Sequence, residues 1–191
     1  MPAPRLTTDE YFRTPETLLP QELVYGMVRA AASPTPGHQW VAGRFFLKLT
    51  PHVEKRGLGR VYMSPIDVVL DRTADLVVQP DVILISTPRL AIITDRVWGA
   101  PDLVIEVLSP RPRIGALGER VEWFARHGVR ECWLVHQANC EIEILEFASG
   151  AVTSRRMVAS EERIRSRVLP EFVESPSSIF GDALPSSVTF S

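Results

Sequence analysis

Lysine is scarce in this chain: of the 21 basic residues among 191, only Lys48 and Lys55 are lysines, so arginine carries almost all of the positive charge. A formal net charge of −2 excludes a polycation, and any nucleic-acid contact must come from a local patch. Cysteine is just as sparse. With Cys132 and Cys140 alone there is no closed thiolate site, and His38, His52, His127 and His136 lack zinc-like spacing. No apolar stretch approaches the roughly 20 residues of a membrane span, and the first 30 residues hold no apolar segment behind a basic start. The expectation is a soluble, cytoplasmic protein without a membrane partner. Gly115-x-x-Gly118 is too short for a phosphate loop, and Ser109 has no nucleophile elbow around it. Without an internal repeat or a separating linker, residues 1–191 read as one domain, with an N-terminal helix and hairpin and a loosely ordered C-terminal tail.

What the chain does contain is two apolar runs, each broken by one carboxylate. Pro101 to Pro110 reads PDLVIEVLSP, a strand buried on both faces and interrupted by Glu106. Leu76 to Ile85 reads LVVQPDVILI, a second such strand, with Asp81 as its acid. An isolated buried charge costs several kcal/mol or more, so each acid needs compensation. One reading puts both at strand ends, solvated or bonded to an arginine. The other brings them together beside a cation, and a hard divalent metal accepts such oxygen ligands.

Other elements follow from periodicity and turn chemistry. Thr7 to Phe12 predicts a short capped helix, and Glu22 to Ala32 a hairpin turning at Tyr25-Gly26. Glu22 is either a third site acid or an edge-strand surface residue. His38 to Arg56 has helical spacing, with Pro51 as a potential kink or break. Arg60 to Leu70 reads as one strand, and Pro88 to Ile92 as a short helical piece. Gly115 to His127 predicts a helix with Leu117, Val121 and Phe124 on one face and Arg120 at its margin, about 60° from Leu117. A hairpin of Glu131–Gln137 and Cys140–Phe147, turning near Ala138, sets Cys132 opposite Ile144 and leaves both thiols free. A further strand covers Val152 to Val158.

One ordered set of short pieces is specific. Glu22-Leu23 with Gly26, His38-Gln39, Val78-Gln79-Pro80-Asp81, Gly99-Ala100-Pro101-Asp102 leading to Glu106-Val107-Leu108-Ser109-Pro110, and Glu131 to Val135 together resemble the Uma2 family. These are restriction-endonuclease-like proteins of the PD-(D/E)XK superfamily. The resemblance runs from about Tyr11 to Phe180 and includes VLPEF, Val168 to Phe172. It implies an α/β fold with a restriction endonuclease-like core, a mixed β-sheet flanked by helices. Pro80-Asp81 takes the place of the superfamily's PD and Glu106 that of its second acid. Leu108 stands where the superfamily has lysine, Arg120 where the family has a helix lysine, and Ala116 where it has an acid.

The function implied is metal-dependent hydrolysis of phosphodiester bonds in DNA. Asp81 and Glu106, with the Val107 carbonyl, would bind Mg²⁺ or Mn²⁺, and Glu22 would act in the outer shell or at a second metal. Arg120 would stabilise charge, because a guanidinium stays protonated and makes a poor base. Arg111 and Arg113, in a cluster with Arg120, Arg126 and Arg130, are the residues expected to meet DNA phosphates, unless the cluster is a solvated helix face. Cutting both strands would favour a homodimer. The alternative is a weakened or inactive nuclease-fold protein serving as a nucleic-acid- or protein-binding module, which the departures at Arg120 and Ala116 favour.

Overall fold

The computed structural model describes residues 5–15, 17, 19–30, 33–108 and 117–181. In chain order the elements are α1 (Thr8–Tyr11), β1 (Gln21–Val24), β2 (Met27–Ala30), α2 (Pro36–Lys55), β3 (Gly59–Met63), β4 (Val68–Asp71), β5 (Leu76–Val78), β6 (Val82–Ser86), a 3₁₀ turn (Thr87–Ile92), β7 (Val97–Trp98), β8 (Leu103–Leu108), α3 (Leu117–His127), β9 (Glu131–His136), β10 (Glu141–Ala148), β11 (Ala151–Ala159) and α4 (Pro176–Phe180). The strands build two mixed sheets, ordered β2-β1-β5-β4-β7 and β11-β10-β9-β8-β6-β3. Among the described residues the parallel pairings are β4 with β7 and β8 with β9.

The six-stranded sheet is buried on both sides, which is why its central strands are nearly all aliphatic. Leu103, Ile105 and Val107 join Val41, Phe45, Leu49 and Val53 of α2 in one core. Val104, between them on β8, joins Val121 and Phe124 of α3 and Val68, Leu76 and Val78 of the smaller sheet in a second core. Strand alternation therefore gives Glu106 the α3 side of the sheet. α2 continues through Pro51 without dividing. Tyr25 and Gly26 turn the β1–β2 hairpin with φ of 50° and 81°, the left-handed conformation that favours glycine at the second position.

Two strands expected as single runs are each split between the sheets. Residues 60–70 divide into β3 in the larger sheet and β4 in the smaller; residues 76–85 divide into β5 in the smaller and β6 in the larger. The breaks fall at Pro65 and Pro80, where the backbone has no N–H to offer a ladder. The mixed β-structure flanked by helices that was expected is thus carried in two sheets, and Asp81 lies where the chain crosses from one to the other. The β9–β10 register is also one residue from the expected one, with Cys132 opposite Leu145 and Trp133 opposite Ile144. Both cysteines are free.

The Ser/Pro-rich segment near the C-terminus is ordered by its own caps. Ser175 accepts from the Ser178 N–H and Ser178 answers at the Ser175 N–H, starting α4, whose Ile179 and Phe180 are buried beside Leu169 and Phe172. Positions 182–191, where the loose tail end was expected, lie outside the described residues. Two further motif acids are structural. Buried Asp102 accepts from the Ser86 N–H at 2.8 Å and from Arg89 and Arg130 at 3.4 Å. Burial opposes its ionisation, but the Ser86 and Arg89 bonds outweigh it and hold the carboxyl below the ordinary range. Glu131 accepts from Trp133 Nε1 at 2.6 Å and from the Arg167 N–H at 2.8 Å, although burial still pushes its carboxyl up.

Candidate active site

The β6–β8 ladder fixes where the two acids fall. Val82 lies opposite Ile105 in that antiparallel pairing, so Asp81, just before this first pair, and Glu106, just after it, adjoin at the same end of the ladder. Directly opposed residues have Cβ atoms about 5 Å apart, close enough for like charges to repel strongly away from water. Asp81 reaches into the neighbouring strand: its Oδ2 accepts the Val107 N–H at 2.7 Å.

Glu22 comes from the other sheet. It is not on an edge, because β1 lies between β2 and β5, and its side chain is 2% exposed. Its Oε1 accepts the Gln79 N–H at 2.7 Å, just before Pro80 breaks the strand. Its Oε2 takes Arg120 Nη1 at 2.8 Å, while Arg120 Nε donates to Glu106 Oε1, also at 2.8 Å. Arg120, placed by sequence at the margin of the α3 apolar face, is buried there, its guanidinium carbon 5.5 Å from the Phe124 ring centroid one helical turn on.

Asp81, Glu106, Glu22 and Arg120 are therefore brought together by four elements of two sheets and one helix. Val107 adjoins them through its N–H. Arg111 and Arg113, the expected phosphate contacts, lie outside the described residues, as does Ala116. His38 is the contact that sequence reading did not assign: its Nε2 lies 3.1 Å from Asp81 Oδ2. A signal was available, since His38, Val41, Phe45 and Leu49 fall on one stripe of α2, which puts the imidazole on the buried side.

Three carboxylates facing one guanidinium leave an excess of negative charge in a poorly hydrated place. Burial raises the Asp81 carboxyl well above its ordinary value, and the charge of Glu106 adds to that against the Val107 and Arg120 contacts. Burial raises Glu106 too, opposed by Arg120. Burial disfavours the Arg120 cation, but Glu106 and Glu22 more than reverse this and raise its pKa. Arg120 is thus a fixed positive charge and no proton acceptor.

Whether a divalent metal suits these residues turns on which oxygens are already engaged. Asp81 Oδ1 and Glu106 Oε2 accept no hydrogen bond among the described residues, whereas both oxygens of Glu22 are taken. Two hard oxygen donors with surplus negative charge suit Mg²⁺ or Mn²⁺, which keep several waters and need few protein ligands. No group of three or more His, Cys, Asp or Glu forms a ready-made cage among the described residues. The fit is to a metal held by two carboxylates, with Glu22 committed to Arg120 and Gln79.

Comparison with known proteins agrees with this architecture. The chain is similar to a protein from Anabaena variabilis described as a "putative nuclease belonging to DUF820", with a TM-score of 0.78 and 17% identity over 92% of this chain and 97% of the other. At that identity the likeness shows the fold alone, restriction endonuclease-like. Among curated proteins none matches. Residues 8–177 match the model of the Uma2 family, described as "Putative restriction endonuclease". Spanning nearly the whole chain, that match makes this protein a member of the Uma2 family of restriction endonuclease-like nucleases.

Proposed function

We propose that this protein is a divalent-metal-dependent endonuclease that hydrolyses phosphodiester bonds in DNA. The observation that carries the reading is a pair of oxygens that accept no hydrogen bond among the described residues, Asp81 Oδ1 just before β6 and Glu106 Oε2 on β8, where burial makes their charge costly. Asp81 and Glu106, together with the Val107 carbonyl, are the groups that would hold Mg²⁺ or Mn²⁺. A bound metal supplies positive charge for the developing phosphorane and acidity for the attacking water. Arg120 holds Glu106 in place and adds a permanent positive charge beside the scissile phosphate, and Glu22 holds Arg120. Arg111 and Arg113 would meet the DNA backbone, and two copies of the chain would be needed to cut both strands in one encounter.

A second reading, a weakened or inactive nuclease-fold module that binds nucleic acid or protein, rests on Arg120. Two carboxylates engage its guanidinium, and Leu108 stands where the superfamily places lysine. Incubation of supercoiled plasmid with the protein and Mn²⁺ or Mg²⁺ separates the readings. The nuclease reading expects nicked and linear DNA that disappears with EDTA and with Asp81→Asn. Retarded but uncut plasmid, unchanged by metal, would establish the binding module instead.

A further inference from the structure

We propose that His38 is a positioning residue for Asp81, resting on the metal site proposed above. The torsion that turns a carboxylate about its last bond is broad, so one hydrogen bond at one oxygen leaves its plane free to swing. Asp81 Oδ2 meets groups from two different elements: it accepts the Val107 N–H at 2.7 Å from β8, and His38 Nε2, in the first turn of α2, lies 3.1 Å away as its ion-pair partner when the imidazole is protonated. Together they restrain the position and the plane of the carboxylate, leaving Oδ1 as the oxygen that accepts no hydrogen bond among the described residues. His38 is itself held, because the Thr35 hydroxyl caps its N–H at 3.2 Å and its side chain is 15% exposed. The imidazole thereby ties the start of α2 to the point where the chain crosses between sheets. Partners that orient a metal ligand in this way are worth about 10- to 100-fold in metal affinity.

The test reads Mn²⁺ binding directly, by titration calorimetry and by loss of the free-ion paramagnetic resonance signal, without DNA. The proteins compared are native, His38→Ala, His38→Phe, His38→Gln and Asp81→Asn. Phe keeps the ring volume and removes the donor; Gln offers an amide N–H at similar reach. Ala and Phe are expected to weaken Mn²⁺ binding by about 10- to 100-fold, and Gln to recover most of the loss, with midpoints in EDTA confirming which variants fold. A single-turnover cleavage series should show the same order. Native-like Mn²⁺ affinity in whichever donor-free variant folds overturns the role of His38 and leaves the metal site standing. Gln behaving like Phe also overturns it. A native protein that binds no Mn²⁺ overturns the metal site, and the positioning role with it.

Discussion

Truncating Arg120 to alanine removes the one guanidinium that, among the described residues, Glu22 and Glu106 share, and the structure sets the size of the effect. Both bonds are 2.8 Å and charge-assisted, and the side chains are 10%, 2% and 12% exposed, so solvent screens them little. Breaking a buried pair by deleting one partner costs about 3–5 kcal/mol, because the remaining charge stays buried without compensation. In a domain of this size each kcal/mol moves the midpoint by about 2–4 °C, so Arg120→Ala should unfold roughly 6–20 °C below native at pH 8. The deficit must shrink on acidification. A carboxyl whose folded pKa is raised contributes stability that is fully present below its unfolded pKa and is lost as pH rises through the folded value. Without Arg120 the folded pKa of Glu106 rises further, so the gap from native is widest at alkaline pH and narrows towards about pH 4. Mn²⁺ should restore part of it by returning positive charge. Arg120→Lys keeps the charge without the fork and should fall between native and Ala. Thermal unfolding followed by circular dichroism at pH 5 and 8 suffices. A loss under about 1 kcal/mol, or a gap that ignores pH, would show that this guanidinium does not hold the site together.

Asp81→Asn should be more stable than native at pH 8 in EDTA and comparable to it near pH 4. The native carboxyl is held above its ordinary range by burial and then by Glu106, so its contribution is lost as pH rises, and a neutral amide escapes that loss. The same variant should lose the native rise in midpoint on adding Mn²⁺, and a variant less stable than native in EDTA at pH 8 would contradict the electrostatics. Gly59→Ala tests the β3–β6 register: a Cβ there would run into the Ile85 carbonyl oxygen and lie 2.8 Å from Ser86 Cα. Those are backbone atoms, so denaturant unfolding should show a loss of about 3 kcal/mol or more, and a near-neutral result would mean the strands are not paired as described.

The sequence made the acids visible because a carboxylate among aliphatics is conspicuous, but the side of the sheet that Glu106 takes followed only from the packing of β8 between α2 and α3. Periodicity placed Arg120 on the margin of an apolar stripe, and the family resemblance put it in the place of a helix lysine, but neither said that it bridges Glu22 and Glu106. What could not be read was the crossing between sheets. Leu76 to Ile85 has one continuous apolar pattern, and pattern alone does not say that Val78 and Val82 pair in different sheets. Pro80 was the local sign, as Pro65 was for the partner run, but a proline in a strand is equally consistent with an edge. The β9–β10 register slipped by one for a similar reason: the turn had to be centred between Ala138 and Asn139, and either side chain pattern tolerates a single-residue shift on a strand buried on both faces.

The crossing also explains why acids are found there whether or not the protein cuts DNA. Where two ladders end, backbone donors lose their strand partners, and buried donors must find others. Glu22 takes the Gln79 N–H, Asp81 Oδ2 takes the Val107 N–H, and the Asp81 carbonyl takes the Ser64 N–H at 2.9 Å. Each carboxylate in this group that caps a donor has a structural reason to stay, so the mere presence of Glu22 and Asp81 does not argue for catalysis. Glu106 differs, because its side chain caps no backbone donor among the described residues and meets only Arg120 there. An acid that serves the fold alone would be expected to satisfy donors with both oxygens, as Glu22 does. Glu106 Oε2 and Asp81 Oδ1 instead accept no hydrogen bond among the described residues while burial raises the cost of their charge, and that unbalanced cost is what a fold-only explanation leaves over and a divalent cation would remove.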